Sequence, residues 1–509
     1  MNGKTGNPSA ARSPAPSRLR GWLMRGAAIS VGLGVFVVAE AICWLFGWGA
    51  PNTHDDPFVG FNNLQPLFVL DQAKREYHVA PARLKFFVED SFPAKKAPGT
   101  YRIFCLGGST VQGRPFAKET SFTTWMQLAL QCADPRKKWE VINCGGVSYA
   151  SYRLVPVMRE CLHYGPDLFV VCTGHNEFLE DRTYGDIRDQ PALLATPHHY
   201  LARLRTYQLY RQFVLRLLNK RTPHRSTVIL GSDVDAMLDY HNGIRAYHRD
   251  PAWRHGVVQH FRLNLSRMAE ICDQHKVPLV LIVPPSNLAD TPPFKSEHRS
   301  GISAAQLAQF DRLESAARAA PTLGHVRAVA LYREALAIDP EYAATHYQLG
   351  VLLELLGRYN EARDEYLAAR DQDICPLRII QPMENAIQEV ADTWSLACLD
   401  ARPLLAARTE HGILDGAVLV DHVHPSIESH KLIGLALVKL LATLNVVTPK
   451  PNWERAAQDV FQKYFDALPM FYFVRGQQRL HALRQWAIGN ADGPPIESRI
   501  PARGKGKKH

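Results

Sequence analysis

Tyr101-Arg102-Ile103-Phe104-Cys105-Leu106-Gly107-Gly108-Ser109-Thr110 is the stretch from which the architecture can be worked out. A short apolar run stops abruptly at two glycines, the pattern of a buried strand entering a tight turn. Phe122, Trp125, Met126 and Ala129 then recur at helical spacing and mark an amphipathic helix. Glu140 to Cys144, Asp167 to Thr173 and Pro278 to Val283 repeat the short β-branched run ending in Gly, Asn, Pro or Ser, with helical stretches between them. Strands alternating with helices imply right-handed crossovers and a parallel sheet covered on both faces. Reactive groups in such sheets collect at the carboxyl ends of the strands, where the polar motifs of this chain sit.

Four of those motifs carry chemistry. The glycines before Ser109 let the chain turn and present its hydroxyl at a helix N-terminus, although a serine there is equally an ordinary helix cap. Asn143-Cys144-Gly145-Gly146-Val147-Ser148 and Gly174-His175-Asn176-Glu177 close the next two strands with small or amide residues. Such loops aim N–H donors at a developing oxyanion, or simply make turns. The fourth is Asp421-His422-Val423-His424-Pro425, ahead of Ser426 and an apolar helix from Ile427. A carboxylate three residues before a histidine can fix its tautomer while the imidazole takes a proton from serine. The two histidines flanking Val423 also raise zinc binding, but no further His or carboxylate cluster has ligand spacing.

Together, in this order, the four blocks resemble the SGNH branch of the GDSL hydrolases, over roughly residues 100 to 300 and 376 to 445. The resemblance implies a three-layer α/β/α fold with a flavodoxin-like parallel sheet. It implies Ser109 as nucleophile, His424 as general base and Asp421 as the residue that orients it. Asn176 would donate its side-chain amide to the oxyanion beside the backbone N–H of Ser109. The family's remaining donor is a glycine N–H about five positions after the leading Asn; here that position holds Ser148, with Gly146 as the fallback. Gly108 and Glu177 both stand where Asp is usual, which points to a divergent branch and bars carrying over lipase or thioesterase substrates. No cofactor or metal is implied.

Residues 306–376 change texture. Ala328, Tyr332 and Ala335 recur one period of about 34 residues later as Ala362, Tyr366 and Ala369, with Leu349, Gly350, Gly357 and Tyr359 in first-helix and turn positions. This resembles the tetratricopeptide repeat, against the plainer alternative of an inserted helical hairpin. The expected layout is a basic tail over 1–26, a transmembrane anchor over 27–50 and an extension over 51–100. The catalytic domain follows in two parts, 101–305 and 377–447, divided by the repeat at 306–376. A helical extension over 448–490 and a disordered basic tail over 491–509 complete it.

The anchor rests on Lys4, Arg12, Arg18, Arg20 and Arg25 preceding a stretch, Ala27 to Ala50, whose one charge is Glu40. The basic side stays cytoplasmic, so the catalytic part is expected in the periplasm of a bacterial-type inner membrane. Ala39-Glu40-Ala41 has the form of a cleavage site, but apolar residues continue through Leu45 and Trp48 and favour an uncleaved helix. The net charge of +10 is concentrated at the termini and unaccompanied by a recognition motif, which suits anionic lipid and not nucleic acid. Nine cysteines without a C-x-x-C pair argue for core thiols, Cys105 and Cys172 first among them.

The polar loop after Val283 offers Asn287 and Lys295 as a substrate wall, or is a solvated surface. The expected reaction is ester hydrolysis or O-acyl transfer through an acyl-enzyme on Ser109. Its substrate would be an acylated small molecule or a polysaccharide of the cell envelope, and the repeat would offer a surface to a protein partner. The alternative is a membrane-tethered, repeat-containing interaction protein with a catalytically silent hydrolase fold.

Overall fold

The computed structural model describes residues 18–46, 64–181, 243–319 and 324–490, with short pieces at 56, 59–61, 205–206, 209, 228–231 and 233–239. Residues 1–17 of the basic tail expected over 1–26, and the whole of the tail expected over 491–509, lie outside the described residues.

The chain divides into two units. In the first, helix α1 (Arg18–Leu45) begins within the expected basic tail and ends short of residue 50. Among the described residues no helix is long and apolar enough to cross a membrane, so the expectation of a spanning segment over 27–50 is not met there. Two features work against it: α1 takes in Arg18, Arg20 and Arg25, and Glu40 interrupts its apolar run. The Glu40 carboxylate accepts from the Arg205 and Thr206 amides at 2.6 and 3.0 Å.

In the second unit, β1 (Val59–Phe61) pairs in parallel with β8 (Val228–Leu230). The expected extension holds an antiparallel ribbon, β2 (Phe68–Asp71), β3 (Glu76–Val79) and β4 (Ser91–Pro93). Its Phe68 and Phe92 meet Phe104 edge-on, which seats the ribbon against the main sheet. That sheet runs β10-β9-β7-β5-β6, formed by β5 (Thr100–Gly107), β6 (Lys138–Gly145), β7 (Leu168–Cys172), β9 (Leu279–Val283) and β10 (Ala397–Asp400), all parallel. Counted from β5, the order is 2-1-3-4-5, and the order in which strands are added reverses between β5 and β7.

Side-chain alternation explains why both faces are covered. Ile103, Cys105, Val170, Cys172, Val280 and Ile282 face one apolar cluster, while Phe104, Leu106, Phe169, Val171, Leu279 and Leu281 face the other. The first cluster is closed by α3 (Phe122–Ala133), α11 (Ala401–Ala406), α12 (Ile427–Thr443) and α13 (Trp453–Asp466). The second is closed by α4 (Ser151–Cys161), α5 (Pro251–His275) and α10 (Gln381–Trp394). Buried Arg102 crosses the layers, bonding Glu140 at 2.8 Å and the Tyr164 and Pro93 carbonyls at 2.7 and 2.8 Å. All nine cysteines are free thiols; burial pushes Cys172 up to about 12, as befits a core thiol.

The insertion between β9 and β10 is four helices, α6 (Ala304–Ala319), α7 (His325–Ile338), α8 (Ala343–Leu355) and α9 (Tyr359–Gln372). A Cβ on Gly350 would lie 2.8 Å from the Tyr366 ring, so glycine is what lets α8 and α9 close on each other. Tyr332, Tyr347, Leu353 and Ala369 join the same apolar cluster as α3 and α12. Two helix pairs are fewer than a free-standing repeat array needs, and the domain built on the main sheet supplies the missing neighbour.

Candidate active site

Each motif identified in the sequence lies at a carboxyl end of the sheet. A Cβ on Gly107 would fall 2.1 Å from the Cys172 carbonyl of β7, so only glycine lets β5 turn there. The chain then enters a single helical turn, α2 (Ser109–Gln112), closed by Gly113 at φ +98°. Ser109 is the first residue of that turn, where an amide has no acceptor within the helix.

The loop carrying Asp421 and His424 is pinned from both ends. Val420 N donates to His424 O at 2.8 Å, and Ser426 caps α12 through the Ser429 amide. The Asp421 carboxylate accepts from the amides of Val423 and His424 at 2.9 and 2.8 Å through Oδ1, and meets His424 Nδ1 at 2.6 Å through Oδ2. His424 Nε2 lies 2.7 Å from Ser109 Oγ. Burial alone would raise the Asp421 carboxyl; His424 and these amides outweigh it and hold the group far below its ordinary value of 3.8. An ionised Asp421 requires the proton on His424 Nδ1 and leaves Nε2 as the acceptor facing the serine hydroxyl.

The donors of the two other loops converge beside the same turn. Asn176 Nδ2 donates one hydrogen to Tyr149 O at 3.0 Å, leaving its second. A Cβ on Gly108 would approach that Nδ2 to 2.5 Å, so glycine lets the turn lie directly against the Asn176 amide. In the second loop the Gly145, Gly146 and Val147 amides are spent on Asn143 Oδ1, Gly107 O and Phe86 O, at 3.0, 2.9 and 2.8 Å. Gly146 is thereby removed as an oxyanion donor. Among the described residues the Ser148 amide has no acceptor, and Ser148 stands at φ +62°, the left-handed geometry natural to the glycine it replaces. Glu177 has a supporting part: its carboxylate accepts from Ser151 N and Oγ at 2.7 and 2.9 Å and fixes the start of α4.

Asn287 and Lys295 are committed elsewhere and are not carried forward as substrate contacts. Asn287 is buried; its amide donates to His422 O at 2.9 Å and its Oδ1 accepts from Asp290 N at 2.9 Å. Lys295 Nζ pairs with Glu297 at 2.9 Å and donates to Tyr247 O. His422 packs edge-on against Phe294 at 5.4 Å, and burial lowers it to about 4, so it is a neutral core ring. Among the described residues no three His, Cys, Asp or Glu side chains are grouped to hold a metal.

What the sequence motifs did not reveal is the docking of α14 (Met470–Asn490) on both catalytic loops. Tyr472 Oη accepts from Ala117 N at 3.1 Å and lies 2.8 Å from Thr120 Oγ1. Gly476 faces the Phe116 ring so closely that a Cβ would fall 2.1 Å from it. Arg484 reaches Val420 O, one residue before Asp421, at 2.8 Å. The small residue at 476 between aromatic turns is the one local sign of this in the sequence.

A family model described as TPR repeat matches residues 327–357. No curated protein matches the chain. Among solved structures, the lipase/acylhydrolase from Enterococcus faecalis is 13% identical, covering 69% of this chain and 98% of its own, with a TM-score of 0.31. A Desulfitobacterium hafniense DCB-2 protein, given as lipolytic and of the G-D-S-L family, is 10% identical over 67% and 99%, with a TM-score of 0.29. An acetyl xylan esterase from Geobacillus stearothermophilus is 11% identical over 67% and 94%, with a TM-score of 0.30. These likenesses are too slight to bear on the function.

Proposed function

We propose that this chain is a serine ester hydrolase, and that its acceptor is either water or a sugar hydroxyl, the latter making it an O-acyltransferase. The observation that carries the reading is the unbroken chain from Ser109 Oγ through His424 to Asp421, at 2.7 and 2.6 Å. Ser109 Oγ attacks the ester carbonyl as His424 Nε2 takes its proton. The Asn176 amide and the Ser109 and Ser148 N–H groups receive the oxyanion. Collapse expels the alcohol, which leaves with the proton from His424. Water or a second hydroxyl, deprotonated by His424, then attacks the acyl-enzyme and restores Ser109.

The substrate we favour is an acylated carbohydrate of the cell envelope, reached from the periplasmic side of a bacterial inner membrane. Support for a membrane tether around residues 27–50 comes from the exposed apolar side chains of α1: Val31, Val35, Val38, Ile42 and Leu45 present a surface that water disfavours. The repeat would offer its outer surface to a protein partner, its inner surface being taken up by the catalytic domain. Labelling by a serine-directed fluorophosphonate, followed by 4-nitrophenyl acetate turnover with and without sugar acceptors, tests the chemistry. Labelling and turnover lost together in Ser109→Ala support it; a folded protein that does not label favours the silent interaction protein instead. Extraction of the full chain from membranes by alkaline carbonate would refute an integral anchor.

A further inference from the structure

Arg153, Pro156, Val157 and Glu160 are spaced i, i+3, i+4, i+7 along α4, so their side chains share one stripe of that helix. The stripe borders a cavity of about 220 Å³, which Phe61, Leu64 and Pro66, from the chain leading into β2, also line. A cavity of about 150 Å³ is enough to hold a benzene ring. This one has room for a ring with a short substituent, and a mostly apolar lining with a few polar groups is what binds such a body.

The charges around the cavity are unequally satisfied. Glu160 accepts from the Leu67 and Phe68 amides at 2.7 and 2.8 Å and from Tyr164 Oη at 2.9 Å. Arg153 donates to Glu180 at 2.7 and 2.5 Å and to the Gly231 and Asp233 carbonyls, both at 3.0 Å. Arg83 lines the same cavity and is 5% exposed. Among the described residues its guanidinium makes one hydrogen bond, from Nη2 to Tyr149 Oη at 2.7 Å, while its Nε is buried with no acceptor and no carboxylate pairs with it. The Phe87 and Tyr149 rings lie 5.3 and 5.8 Å from its Cζ and bring no formal negative charge. A guanidinium taken out of water without a counter-charge is costly, and its planar fork matches a carboxylate. What sets Arg83 apart from a guanidinium sealed inside a core is the space beside it, where a counter-charge fits.

Tyr149 relates the cavity to the catalytic centre. Its hydroxyl accepts from Arg83, while its carbonyl accepts from Asn176 Nδ2 at 3.0 Å and would lie 3.4 Å from a Cβ on Gly108. The length of that one side chain separates the Arg83 end of the cavity from the turn that carries Ser109.

We propose that this cavity is a second ligand site, apart from the catalytic centre, that binds a small carboxylic acid with an apolar body as its anion. The carboxylate meets Arg83, and the body lies between the α4 stripe and Leu64 and Pro66. The site goes beyond the ester-hydrolase reading and does not depend on it.

The test is calorimetric binding to the full chain of phenylacetate, of phenylacetamide, which has the same shape and no charge, and of acetate, which has the charge and no body. Phenylacetate is expected to bind roughly tenfold or more tighter than either. Arg83→Gln should bring phenylacetate down to the level of phenylacetamide, and Arg83→Lys should restore part of the difference. Leu64→Trp, at a half-exposed position, fills the cavity and should abolish binding of both phenyl compounds, so the site is tested even if Arg83→Gln does not fold. Ser109→Ala and His424→Ala should bind phenylacetate as the wild type does, which separates this site from an acid held in the catalytic centre. Failure of the folded wild type to bind phenylacetate at millimolar concentration, or equal affinity for all three compounds, would overturn the proposal. So would binding that is indifferent to both Arg83→Gln and Leu64→Trp, or binding lost in Ser109→Ala.

Discussion

Replacing Asp421 by asparagine separates the fold of the catalytic loop from its chemistry. Asn keeps the Oδ1 that accepts the Val423 and His424 amides at 2.9 and 2.8 Å, so the loop retains its shape. It puts an amide N–H where Oδ2 stood, 2.6 Å from His424 Nδ1. The ring must then present a lone pair at Nδ1 and carry its proton on Nε2, which faces Ser109 Oγ at 2.7 Å and can no longer accept from it. The loss expected from a wrong tautomer is on the order of 10⁴ in kcat, about 5.4 kcal/mol of barrier. The loss of one charge-assisted hydrogen bond should cost stability only about 1–3 kcal/mol. The carboxyl lies below its ordinary 3.8 in the folded protein, so its contribution to stability is complete above that value and lost only as the pH falls through the lower folded value. The stability difference between wild type and variant should therefore be flat from neutral pH down to about 5. Rates of 4-nitrophenyl acetate turnover and urea unfolding, measured on both proteins, check the two halves. A folded Asp421→Asn protein within tenfold of wild-type turnover would refute the tautomer argument.

Other expected outcomes follow from single features. Ser148→Gly should keep turnover and leave stability within about 1 kcal/mol, because relief at φ +62° offsets the added freedom of the unfolded chain, whereas Ser148→Val should unfold at lower temperature. Gly350→Val should destabilise the chain by about 1–3 kcal/mol in chemical denaturation, since the Tyr366 ring occupies the space the new side chain needs. Burial would raise Glu180, but Arg153 and its other partners hold it below its ordinary 4.5, so its contribution is full above that value and disappears as the pH falls through the folded one. Arg153→Gln removes the 2.5 Å partner of that buried carboxylate; a cost of about 3–5 kcal/mol and acid unfolding that begins at higher pH are expected, read by circular dichroism.

The central strands were legible in the sequence because each is a short run buried on both faces and ended by residues that only turns accept. Tyr101 to Leu106 as read from the sequence became Thr100–Gly107, and Pro278 to Val283 became Leu279–Val283. The triad was legible for a related reason: its members lie in two compact segments whose glycines and capping serine record local backbone demands. The edge strand Ala397–Asp400 has four half-buried residues and no clear alternation, so it carried no signal. Lys295 and Asn287 misled because a polar loop after a strand looks the same whether its groups face a substrate or, as here, Glu297, Tyr247 and Asp290. The docking of α14 depends on a surface assembled from residues more than three hundred positions away, such as Thr120 with Tyr472, and no local period encodes that.

The most direct test of the account is to trap the acyl-enzyme. The full chain is mixed with 4-nitrophenyl acetate, quenched in acid within the first turnover, digested, and the peptides are weighed. The account expects one acetyl group, on the peptide containing Ser109, absent in Ser109→Ala and much reduced in His424→Ala. Turnover of the ester with no acetylated peptide, or with the acetyl group on another residue, would contradict it.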